Sequence, residues 1–301
     1  MARATTLRFT TLLSAAAKNI QRAWPAVLTG IVAFALLMNV VSQFVGRQIA
    51  SQEANLWHGL GRDPAQVEEL LQRARDGDEE AFNELMQLQD AFLQELEDMP
   101  QEERDQLAAQ QTIEMFTTLL PLLALLFVVQ MLVMLLSFHF YFVQAVSEVT
   151  TPVEVWRNLR THLLPLIGVS LWIVIRTFSW LPFIGPLFAL LLGPRFVLAP
   201  VILLQEKKGI MASARLSYER TRGHWWSITS QAILMTLAVM IGTFVIFGVL
   251  QQMIFLPPFT LGLLVAMTWQ LGLVLMTGFI VKLALTFIGL PLISSPKLRA
   301  P

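Results

Sequence analysis

Long runs in which nearly every position is apolar alternate along this chain with short polar stretches that collect almost all of its charge. A bilayer core about 30 Å thick needs about 20 apolar helical residues to cross it. Six runs meet that length, at about 24–45, 115–138, 163–181, 186–204, 228–253 and 259–281, and none contains Asp or Glu. A carboxylate in hydrocarbon would have to neutralise or find a partner, so its exclusion is what a spanning helix requires. The pattern predicts an all-α polytopic membrane protein with six transmembrane helices arranged as three hairpins.

The polar stretches carry a second pattern. Before the first, third and fifth runs, the spacing predicts a short basic amphipathic helix. Leu7, Leu12, Leu13, Ala16 and Ile20 share one face of the first of these. The second opens at Thr151-Pro152-Val153-Glu154, a capping box with proline at the first helical position. In the third, Lys208, Arg215, Glu219 and Arg222 share a polar stripe. The unit expected to repeat three times is therefore an in-plane helix followed by a hairpin. Three such helices gripping anionic lipid is one reading of their charge; ordinary topology signals is the other.

Segment 47–114 differs from the rest. Asp63-Pro64 opens a helix to about Arg75, and Asp76-Gly77-Asp78 breaks it. A second helix then places Phe82, Leu85, Met86, Gln89, Phe92, Leu93 and Leu96 on one stripe, and Pro100 restarts the chain with acids in the next first turn. The domain organisation expected is an amphipathic helix with span 1 over 1–46, an acidic helical insertion over 47–114, and a five-span membrane domain over 115–301.

Composition sharpens this picture. The chain has 301 residues, 55% of them apolar and only 14% charged, and 21 basic residues balance 21 acidic ones. The zero sum hides a segregation, because 47–114 holds 17 acids and 5 bases, net −12, and the remainder holds net +12. Basic residues mark the cytoplasmic side of a spanning chain. Arg3, Arg8, Lys18 and Arg22 precede span 1, Arg157 and Arg160 follow span 2, Lys207, Lys208, Arg215, Arg220 and Arg222 follow span 4, and Lys282, Lys297 and Arg299 follow span 6. Both termini are thus expected in the cytoplasm, with the acidic insertion outside. The apolar stretch of span 1 exceeds the roughly 7 to 15 residues of a signal-peptide core, so a retained anchor is expected.

Little in the sequence suggests chemistry. There is no cysteine, and His58, His139, His162 and His224 are scattered without an i, i+4 pair. No phosphate-binding loop, nucleophile elbow or zinc-protease motif occurs. No enzyme activity, cofactor, metal or nucleic-acid partner is expected. Asp76 to Glu80 lacks the glycine and glutamate spacing of a calcium loop. With net −12, docking of a basic extracytoplasmic protein is the partner it suggests.

The costly feature is Arg195, near the middle of the fourth run, where an arginine costs roughly 2.5 to 3.5 kcal/mol on insertion scales. Gly193-Pro194 precedes it and Pro200 follows, so the helix is expected to break there and release carbonyls. Either Arg195 lines a polar cavity for an anionic headgroup or solute, or it is satisfied by those carbonyls and by Asn39, Gln130 or Gln270 of neighbouring spans. Lys207, Lys208, Arg215 and Arg222 are the candidate membrane-surface residues.

From Ala199-Pro200-Val201 through Gln205-Glu206-Lys207, Gly209, Ala212-Ser213, Arg215 and Ser217 to Thr221, the chain resembles the YciC-type family of bacterial inner-membrane proteins. It also resembles the membrane domain fused to some glycerophosphodiester phosphodiesterases. About 25 residues carry the specific match, and the span layout extends it over most of the chain. The resemblance implies six spans, an inner-membrane location and no assigned activity. The long acidic insertion departs from that family. Local physics accounts for part of the motif: Gly209 is expected to take the left-handed or turn geometry by which the chain leaves span 4, and Ala212, Ser213 and Ala214 to permit close approach to the membrane or a neighbouring helix. The functional expectation is a non-enzymatic inner-membrane protein that binds or organises lipid or a membrane partner. A permease for an anionic or amphipathic solute, or an accessory subunit of an envelope complex, are the alternatives.

Overall fold

The computed structural model describes residues 9–58, 64–75, 77–98, 100–178, 193–253 and 256–288. Among them all regular structure is helical: α1 (Phe9–Arg22), α2 (Trp24–His58), α3 (Pro64–Arg75), α4 (Glu79–Asp98), α5 (Gln101–Ser147), α6 (Pro152–Phe178), α7 (Ala199–Glu206), α8 (Ile210–Arg220), α9 (Trp225–Gln251) and α10 (Pro258–Ile288). Five of these contain a stretch long and apolar enough to cross a membrane: Trp24–Gln48, Leu120–Ser147, Pro152–Arg176, Trp225–Gln251 and Pro258–Ile288. Their outward residues are apolar, with Phe244 on α9 68% exposed alongside Ile241 and Val245. A continuous face of this kind needs lipid or protein against it. The chain is an all-α protein with several helices able to span a bilayer.

The fourth predicted span, 186–204, begins outside the described residues, as do Arg3, Arg8, Trp180, Lys297 and Arg299. Its described part is helical over 193–196, turns at Val197 and Leu198, and resumes as α7. Pro200 has no N–H to give the carbonyl four residues back, which favours an interruption there, and the chain turns just before it, whereas α5 and α6 continue through Pro121 and Pro165.

A short helix set off from the long helix that follows it is found at two of the three expected places. α1 is set off from α2 by a turn at Ala23, just before Pro25, and α8 from α9 by the turn 221–224, with Gly223 at φ 87. The second is not separate, because α6 continues from Pro152 through Phe178. No Gly or Pro lies between Val153 and Leu163 to force a stop, and the helix continues through Pro165 further in.

Two compact units divide the chain. The first comprises 1–34, 135–247 and 267–301. In it Leu12 and Ala16 of α1 pack with Ile228 and Met235 of α9 and with Phe279 and Leu283 of α10. The apolar face of α1 is thus covered by protein, with Asn19 donating to the Ala145 carbonyl at the end of α5. Phe34 stands edge-on to Phe140 and Tyr141. Lys282, counted among the basic residues that mark the cytoplasmic side, is buried and paired with Glu148 at 2.6 Å.

The second unit comprises 35–134 and 248–266. α2 and α5 run unbroken across the expected boundaries at 46/47 and 114/115, so the acidic segment continues directly from two helices long and apolar enough to span a membrane. Gly77 ends α3 at φ 92, and Gly77 N–H to Ala74 with Asp78 N–H to Arg73 closes a Schellman turn. Asp78 then caps α4, accepting from the Glu80 and Ala81 amides and from Arg73. Those amides and the Arg73 guanidinium hold its carboxyl below the usual carboxylate range. Val67 and Leu70 of α3 and Ala81 of α4 are buried. The predicted stripe on α4 is divided: Leu85 is half-buried, whereas Phe82 and Met86 face outward. Side chains 89, 92, 93 and 96 lie outside the described residues.

Candidate functional site

The turn at Val197-Leu198 frees the Arg195 carbonyl, and the structure shows what takes it. Ser217 Oγ donates to it at 2.7 Å and Thr221 Oγ1 at 3.3 Å, both from α8. A released carbonyl in the expected place is therefore present, but it belongs to Arg195 itself. Ser213 Oγ reaches the Lys208 carbonyl at the other end of α8, and Arg220 pairs with Glu206 at the end of α7. Ser213, Ala214, Ser217 and Thr221 are all buried, so α8 seats a small, hydroxylated face against the 195–208 segment. Small side chains let backbones approach until such hydroxyls reach carbonyls. The i, i+4, i+8 spacing of Ser213, Ser217 and Thr221 carries this signal in the sequence, where only the Ala212 to Ala214 cluster was given a packing role; Ala212 itself is exposed.

Gly209 lies in the turn between α7 and α8, as expected, but is not its left-handed residue. Lys207, not Gly209, adopts the left-handed conformation, at φ 50, and Gly209 is extended at φ −65, ψ 162 as the residue before α8. The helix ends one residue after Glu206, so the left-handed position falls on whichever residue stands there, and the penalty for a non-glycine is modest.

The Arg195 guanidinium lies over the Tyr218 ring, 4.7 Å from its centroid. Among the described residues no carboxylate pairs with it. A cation over an aromatic face gains about 0.5 to 1 kcal/mol at an exposed site, and Tyr218 is exposed, so the contact offsets part of the insertion cost of the charge. Phe196 packs edge-on against Trp172 and near Tyr218, closing an aromatic wall beside the break. Tyr218 went unnoticed in the sequence because an exposed aromatic on an amphipathic helix looks like a membrane-surface residue.

The three amides proposed beside Arg195 have partners of their own. In the first unit, Tyr141 Oη donates to Gln270 Oε1 at 3.1 Å, joining α5 and α10. In the second, Asn39 donates to the Phe259 carbonyl at 3.0 Å, and Gln130 donates to Ser42 Oγ at 3.1 Å. Gly262 faces Asn39 closely enough that a side chain there would strike it. Each is a side-chain hydrogen bond from one helix to another.

The four basic residues named for the membrane surface, Lys207, Lys208, Arg215 and Arg222, are exposed. Met211, Tyr218 and Trp226 are exposed with them, and Arg215 pairs with Glu219 one turn on. The outward side of α8 and its flanking turns therefore mixes cations with large apolar groups. That mixture suits a lipid headgroup boundary. Comparison of the chain with protein-family models, with characterised proteins and with solved structures finds no match.

Proposed function

We propose that this is a non-enzymatic protein of the bacterial inner membrane that binds or organises anionic lipid or a membrane partner, with both termini in the cytoplasm. The observation that carries the reading is the outward face of α8, where Lys207, Lys208, Arg215 and Arg222 stand exposed beside Met211, Tyr218 and Trp226. Each basic residue near an anionic leaflet contributes about 1 kcal/mol of attraction, and the buried hydroxyl face holds the helix in place to present them. The family resemblance read from residues 199 to 221 supports the compartment and assigns no activity.

Native mass spectrometry of the detergent-extracted protein tests this directly. Wild type should retain anionic phospholipid, and Lys207→Gln, Lys208→Gln and Arg215→Gln combined should reduce retention by at least tenfold. Equal retention in both proteins would refute the α8 surface as the lipid site. A permease for an anionic or amphipathic solute is the second reading, favoured by an arginine at a helix break with no carboxylate partner among the described residues. Arg195→Met should then abolish uptake by proteoliposomes while leaving lipid retention at α8 intact. Arg195→Lys should lose part of it, because lysine lacks the planar fork suited to phosphate or carboxylate.

Orientation has its own test, made clean by the absence of native cysteine. A cysteine at Glu79 should react with an impermeant thiol reagent in intact spheroplasts, and one at Arg215 should not. Both positions are exposed, so labelling of Arg215→Cys alone would invert the topology.

A further inference from the structure

The apolar arc of α4 is wider than its own fold covers. Ala81 is fully buried and Leu85 and Leu88 are half-buried, but Phe82 is 57% exposed and Met86 44%. These two lie one turn apart on the same ridge, next to the exposed carboxylates Glu79 and Asp90. Helical spacing places Glu79 and Asp90 on one flank of that ridge and the buried row on the other. The result is an apolar ridge with a one-sided acidic border, on a segment whose net charge is −12.

We propose that the Phe82–Met86 ridge of α4 docks a cationic amphipathic helix of a partner protein. This deepens the membrane-partner reading above and rests on it. Three occupants compete for such a face, and charge separates them. A second copy of the chain would bring −12 against −12 and set the acidic border against another. An anionic bilayer would repel Glu79, Glu80, Glu84 and Asp90, the exposed acids of α4. A cationic amphipathic helix answers both features, with apolar anchors at i and i+4 against Phe82 and Met86 and basic residues across from Glu79 and Asp90.

The full-length protein in nanodiscs of zwitterionic lipid is the test system, with a fluorescent helical peptide of leucine and lysine as the probe. The same peptide with glutamate for lysine, and empty nanodiscs, are the controls. Anisotropy should show the cationic peptide binding wild type at least tenfold more tightly than it binds empty nanodiscs, with the anionic peptide not bound. Phe82→Ser with Met86→Ser should weaken binding tenfold or more. Glu79→Gln with Asp90→Asn should weaken it and flatten its salt dependence. Gln87→Ser, an exposed position off the ridge, should leave it unchanged, and all variants should melt with wild type because the altered side chains are on the surface.

Equal peptide affinity in wild type and Phe82→Ser/Met86→Ser overturns the proposal. So does a wild-type dimer that this double variant converts to a monomer, or ridge-dependent association with peptide-free anionic vesicles. Lipid retention is scored separately by mass spectrometry. A wild type that retains no anionic lipid yet binds the peptide sinks the lipid reading alone, and one that retains lipid but does not bind the peptide sinks the docking surface alone.

Discussion

Lys282→Met should destabilise the protein by roughly 3 kcal/mol, the low end of the cost of stranding one member of a buried ion pair. Lys282 is only 4% exposed and its Nζ sits 2.6 Å from Glu148 Oε1. Glu148 follows α5 at φ 52, so its side chain is held by a turn and has little freedom to swing out to a new partner. Removing the lysine leaves a carboxylate facing apolar surroundings, while partial exposure of Glu148 keeps the cost from rising higher. The double variant Lys282→Met with Glu148→Gln removes both charges and should recover most of the loss. Thermal unfolding in one detergent, with all three proteins side by side, measures this. A single variant that melts with wild type would mean that the pair contributes nothing.

Gly30→Val should be comparably severe for a different reason. A Cβ at Gly30 would stand 2.8 Å from Phe140 Cε1 and 2.9 Å from Tyr141 Cε1. Neither ring can yield cheaply, since both are buried, Phe34 packs edge-on to each, and Tyr141 holds Gln270. Overpacking at such a contact costs about 1 to 3 kcal/mol, and the branched valine falls at the upper end, with Gly30→Ala below it. Gly242→Ala is the contrast. A Cβ there meets nothing within 4 Å, so alanine should stabilise α9 by a few tenths to about 1 kcal/mol through helix propensity. If Gly30→Val folds and melts as wild type does, α2 and α5 are not packed as closely as these distances state.

The helical class and most spanning segments were legible in the sequence because they follow from composition over a long window. An uncharged apolar run of this length has few folded alternatives to a helix in lipid. The break near Arg195 was legible too, since Gly193-Pro194 and Pro200 crowd three weak helix positions around it, whereas the single prolines Pro121 and Pro165 stay inside helices. Gly77 could be read as a breaker for the same local reason.

Tertiary structure decided how each broken or polar position is satisfied. That the Arg195 carbonyl goes to Ser217 and Thr221 depends on α8 folding back onto residues 22 and 26 positions earlier. Asn39, Gln130 and Gln270 could be recognised as polar groups needing partners, but their partners come from other helices. Lys282 shows the limit most plainly: its place after an apolar run marks a membrane boundary, whereas its partner Glu148 lies 134 residues away. The same holds for α4, where periodicity defined the apolar stripe and only packing on α3 decided that Ala81 is covered and Phe82 and Met86 are not. Local pattern determines which groups must be buried, paired or solvated, because those demands come from the side chain and its immediate backbone. Which neighbour meets each demand depends on long-range packing, because contacts between helices join residues that no sequence window contains.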